Sequence, residues 1–155
     1  MSRKTLGEQF VDSRGGPISY RGLTVHSIHE IAIAGRTTLA VRFIHSTKHV
    51  LQGLRLAVDG GTLLVNDQPL RELVLWENTA PRNVRIQVTP AHARCIVKMW
   101  NVWQDEAGAM QAWIGDCGMV VEPTSSGVRL KCSDGADGAA FDDLVVQVGV
   151  ASTGE

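Results

Sequence analysis

The chain has 155 residues, 15 basic and 16 acidic side chains and a hydrophobic fraction of 44%. These values suit one globular domain whose core needs no disulfide staple, and they exclude a disordered or fibrous chain. A formal net charge of −1, with no basic cluster, supplies no field for nucleic acid or an anionic membrane, so neither is expected as a partner.

No apolar run reaches signal-peptide or membrane-spanning length. Three cysteines, Cys95, Cys117 and Cys132, cannot all pair within one chain, so reduced thiols and a cytoplasmic location are expected. Residues 1–17 read as a polar lead-in that ends in Arg14-Gly15-Gly16-Pro17, with Leu6, Phe10 and Val11 at the spacing of one short amphipathic turn. The domain proper is expected over 18–150, with 151–155 as a flexible tail.

From Ile18 onward the signals are β. The runs 23–34 and 38–46 are expected to form a hairpin about Gly35-Arg36 that sets Ile33 against Leu39, Ile31 against Val41, Glu30 against Arg42 and Ile28 against Ile44. Ser27 then faces His45, so His29 and His45 become diagonal neighbours, with His49 just past the strand end. Such imidazoles suit a transition metal (zinc or iron), although Glu30 points to the other face and supplies no carboxylate.

The runs 54–58 and 62–65 flank Asp59-Gly60, a strong hairpin signal that would set Leu56 against Leu63 and Leu54 against Val65. Asn66-Asp67 turns the chain into 70–76. A loop follows, then a strand with Val84, Ile86 and Val88 inward, ended by Pro90.

Residues 94–115 carry three of the four tryptophans on two runs closed by Asp105-Glu106-Ala107-Gly108. Pairing Gln104 with Ala109 places Trp103 opposite Met110, Asn101 opposite Ala112, Trp100 opposite Trp113 and Met99 opposite Ile114. One face collects Val97, Met99, Trp103, Met110 and Ile114 as core; the other collects Lys98, Trp100, Gln111 and Trp113. Next, 119–122 is expected to pair with 128–132, with Glu122 opposite Arg129 and Val121 opposite Leu130. Cys117 would lie in an exposed turn, diagonal to Cys132. A loop rich in Gly and Asp leads into a last strand over 141–148. Its Asp134, Asp137, Asp142 and Asp143 supply the oxygen donors that calcium takes, outside the helix-flanked calcium-loop spacing.

About ten short strands without a long helix imply a two-sheet antiparallel β-sandwich, jelly-roll-like, with a closed β-barrel as second choice. The leading functional expectation is a non-enzymatic binding module. It would present Trp100 and Trp113, with Lys98, Gln111, Trp76, Asn78 and Asp116 around them, to a carbohydrate or another flat small molecule. The rival is a homodimer that uses the same face. A third reading is a small cupin-like, metal-dependent barrel enzyme built on the histidines. The chain has no phosphate loop, nucleophile elbow or helical histidine pair, and Glu72 and Glu77 have opposite strand parity. Apart from calcium, no cofactor is expected.

Overall fold

A computed structural model describes residues 4–47, 49–136 and 138–152. The elements are α1 (Leu6–Asp12), β1 (Ile18–Tyr20), β2 (Leu23–Val25), β3 (His29–Ala32), β4 (Thr37–Ser46), β5 (Gln52–Asp59), β6 (Gly61–Val65) and β7 (Gln68–Leu70). They continue with β8 (Glu72–Trp76), β9 (Asn83–Pro90), β10 (Ile96–Gln104), β11 (Met110–Gln111), β12 (Gly118–Pro123), β13 (Gly127–Ser133) and β14 (Leu144–Ser152). The fold is an all-β antiparallel sandwich. One sheet has seven strands in the order β12-β13-β14-β4-β9-β6-β7; the other has the order β11-β10-β5-β8, with β3 also on β10, and neither closes into a barrel. β1 and β2 form a separate ribbon. Among the described residues no helix is long and apolar enough to cross a membrane.

Period-2 patterning explains most of these strands. β9 buries Val84, Ile86 and Val88 between exposed Asn83, Arg85 and Gln87. β4 and β14 turn Leu39, Val41, Val146 and Val148 to the same interior, where they meet Leu54, Leu56, Val97 and Met99 of the opposite sheet. β10 departs from alternation: every residue from Met99 to Trp103 is buried, because side chains also cover its outer face.

The register expected for β12 and β13 is observed, with Glu122 opposite Arg129 and Val121 opposite Leu130. Asn66 and Asp67, both at positive φ (49° and 63°), make the tight turn between β6 and β7. Three other pairings differ. β3 and β4 do not form a hairpin: β3 pairs with β10, where Glu30 faces Lys98, and β4 lies between β14 and β9. Nor is Asp59-Gly60 a hairpin turn, since β5 and β6 run into opposite sheets. There Gly60 has φ 77°, and a Cβ on it would lie 2.0 Å from the carbonyl oxygen of Arg94, so the corner is open to glycine alone. In the tryptophan hairpin, β11 has two residues and sits one place off the expected register, with Trp103 opposite Gln111 and Gln104 opposite Met110. Met110 and Ile114, expected in the core, are exposed.

The amino-terminal segment is more than a lead-in. Thr5 caps α1 by accepting from Glu8 N–H, and the Glu8 carboxylate accepts from Thr5 N–H in return. Leu6 and Phe10 are buried against Val25 in a second small core, and Gly7 N–H donates to the carbonyl of Gly115. The last strand runs to Ser152, beyond the expected domain edge at 150.

All three cysteines are free and buried, Cys117 included, contrary to the exposed turn expected for it. Burial pushes the Cys117 thiol up to about 12 and raises Cys95 and Cys132 as well. A thiol kept both protonated and covered is a poor nucleophile. Native protein is therefore expected to react with a disulfide reagent such as Ellman's only slowly at pH 8, and to release three equivalents promptly in denaturant. Prompt reaction of one thiol in native protein would contradict that burial.

Candidate functional site

The outer face of the five-stranded sheet is built from Lys98, Trp100 and Val102 on β10, Gly53, Arg55 and Ala57 on β5, and Glu72, Val74 and Trp76 on β8. Trp100 is not bare. It is 8% exposed, its ring lies 4.9 Å from that of Trp113 at a 30° tilt, and the Arg55 guanidinium sits 5.7 Å from its centroid. The two indoles do meet, as the sequence suggests, but as a stack in which Trp113 covers Trp100.

Trp113 itself is off the strand and 44% exposed. Its φ of 61° is a left-handed conformation that large side chains avoid, costing on the order of 1–3 kcal/mol. The stack on Trp100 and a hydrogen bond from its Nε1 to the Ser27 carbonyl, 3.0 Å long, hold it there. The free side of the ring opens on a groove of ≈ 350 Å³ walled by Phe10, Val11 and Ile28, with Arg14 as its charged member. Sequence reasoning missed these groove residues, although the helical spacing of Leu6, Phe10 and Val11 pointed at the element that carries two of them.

The other residues expected around the pair do not gather beside it. Lys98 pairs with Asp59 at 3.0 Å, and Gln111 donates to Asp105 at 2.8 Å. Trp76 lies two strands from Trp100 and packs over Gly53, where a Cβ would come within 2.7 Å of its ring. Asn78 is exposed in the loop after β8. Asp116 accepts from Leu6 N–H at 3.1 Å and so fastens the start of α1.

A second group of functional side chains gathers at one end of the sandwich, where the β4–β5 and β13–β14 connections meet. His49 Nε2 lies 2.6 Å from Asp134 Oδ2, and the buried Gln52 side chain donates Nε2 to the same oxygen at 2.6 Å. Asp134 N–H donates to Asp143 Oδ2 at 3.0 Å, and Asp134 Oδ1 accepts from Ala136 N–H at 2.9 Å. Burial, with the charge of Asp134 beside it, pushes the Asp143 carboxyl up to about 6. Burial works on Asp134 too, but its hydrogen bonds from Ala136 and Gln52 outweigh it, and this carboxyl ends below its ordinary value. The two acids therefore titrate as a pair. Among the described residues, the buried Gln52 Oε1 has no hydrogen-bond partner, an omission that costs about 1–3 kcal/mol unless something else satisfies it.

The expected trio of histidines does not assemble: His29 lies opposite Met99 in the five-stranded sheet and His45 opposite Val145 in the seven-stranded one. Of the expected calcium donors, Asp134 and Asp143 come together, Asp142 is exposed and outside the group, and Asp137 lies outside the described residues. The cluster thus joins one residue from the first expected set to two from the second. Comparison with protein-family models, curated proteins and solved structures gives no match; what the two sites can do follows from their geometry alone.

Proposed function

We propose that the protein is a non-enzymatic binding module that takes a carbohydrate, or a small molecule equally flat on one side, against Trp113. The observation that carries this reading is a half-exposed indole, held at φ 61° over the groove beside α1 and backed by a buried indole. A ring fixed in advance loses little side-chain freedom when a ligand covers it, and its face suits the apolar side of a sugar. Trp100 becomes a buttress rather than a contact, and Arg14 supplies a donor for ligand hydroxyls. The three free thiols support a reducing, cytoplasmic setting, and the net charge of −1 favours neither nucleic acid nor membrane as partner.

Intrinsic fluorescence titrated with a panel of neutral mono- and oligosaccharides tests this reading. Saturable quenching by at least one member is expected, weakened about tenfold or more in Trp113→Ala, which corresponds to about 1.4 kcal/mol, the order of one aromatic contact. A silent panel, or undiminished binding by the variant, would count against it. Exposure of Val11 (77%) and Ile114 (53%) beside Trp113 favours a second reading, in which another copy of the chain covers this patch. Sedimentation decides between them: a dimer that Trp113→Arg separates into folded monomers supports self-association.

A further inference from the structure

We propose that His49, Asp134 and Asp143, with the side-chain carbonyl of Gln52 as fourth donor, form a binding site for one divalent transition cation of the zinc class. The donor atoms of the first three lie within 4.8 Å of one another. Tetrahedral ligands of one zinc-class cation lie about 3.4 Å apart on bonds of about 2.0–2.1 Å, so small side-chain rotations within this cluster bring the three donors onto one ion. Asp134 and Asp143 are 5% and 7% exposed, which leaves two acids in a confined site with a single imidazole among the three donors.

Gln52 is the independent pointer. It is 0% exposed, its Nε2 reaches Asp134 Oδ2, and its Oε1 on the same amide has no partner among the described residues. That oxygen belongs to an amide held against Asp134, so an ion taken up by this carboxylate comes within reach of it. A bound ion thereby supplies the partner that no described residue gives Gln52 Oε1.

The donor set also selects the ion. Calcium takes six to eight oxygens and magnesium keeps its waters, whereas one imidazole nitrogen with carboxylate and carbonyl oxygens suits a four-coordinate zinc-class cation. Bound there, the ion ties the β4–β5 connection to the β13–β14 connection. It acts as a staple between the sheets and lies apart from the Trp113 groove.

The test uses the full chain stripped with EDTA, titrated with zinc chloride by calorimetry and followed by thermal unfolding. Calcium and magnesium chlorides run in parallel. Expected is one zinc per chain and a rise in Tm of about 5 °C or more at a hundredfold excess over Kd. His49 is partly exposed, so His49→Ala should fold as the parent does, and it should weaken zinc about tenfold or more. Asp143→Asn should do the same, and His92→Ala should change nothing. Absence of saturable zinc binding, equal affinity in His49→Ala and Asp143→Asn, or a preference for calcium would overturn the proposal.

Discussion

Trp100→Ala is expected to lower folding stability by about 3–5 kcal/mol, and Trp113→Ala by only about 1–2 kcal/mol. The difference comes from what each indole contacts. Trp100 belongs to the main core cluster at 8% exposure, and deleting it opens a cavity under Trp113 and beside the Arg55 guanidinium. Trp113 gives up one ring contact and one hydrogen bond to Ser27, while its other face already meets water. Urea unfolding of both variants measures the difference directly. Equal losses, or a loss below about 1.5 kcal/mol for Trp100→Ala, would mean that the two rings share the surface as equals. The same pair of variants separates stability from recognition, because Trp113→Ala should remain folded while it loses the ligand.

Gly60→Ala is the second large effect, at about 3 kcal/mol or more. Two costs add there: the positive φ of 77°, worth about 1–2 kcal/mol for a residue with a Cβ, and a clash at 2.0 Å with a main-chain carbonyl that cannot move aside. Gly108→Ala supplies the control. Its φ of 84° carries the first cost, and nothing lies within 4 Å of the new Cβ. In a chain of this size the Gly60 variant should melt at least about 6 °C below the parent and well below the Gly108 variant. Similar melting temperatures for the two would restore an ordinary Asp-Gly hairpin in place of the corner between sheets.

That corner shows what the sequence could convey and where it stopped. Period-2 patterning says which side of a strand faces inward, and so the inward residues of β9 were legible from Val84 to Val88. It does not say which strand lies alongside. Where the partner is local and carries a matched charge, as with Glu122 and Arg129, the pairing was legible as well. β3 is the opposite case. Its Glu30 suits Arg42 in a local hairpin and Lys98 in a distant one, and the distant partner prevails in the fold. Likewise Asp59-Gly60 announces a sharp bend without saying whether the next strand folds back or crosses to the other sheet.

The sites follow the same logic. The meeting of Trp100 and Trp113 was legible because a short loop joins their segments, even though the register between them was one residue off. Trp113 and Ser27 are 86 residues apart, and no local pattern joins the indole to α1. His49 and Asp134 are 85 apart, and local patterning places each in a different candidate group. Gln52 carried no signal at all: a glutamine becomes informative only once its burial and its unpartnered oxygen are seen.

The most direct measurement of the recognition surface is a ¹H–¹⁵N spectrum of the four tryptophan side-chain N–H groups, recorded during titration with the tightest saccharide of the panel. The Trp113 resonance, assigned from Trp113→Phe, should move furthest and saturate with the binding curve, ahead of Trp76 and Trp103. A ligand that saturates while Trp113 stays still, and shifts Trp76 or Trp103 instead, would contradict the assignment of the groove as the site.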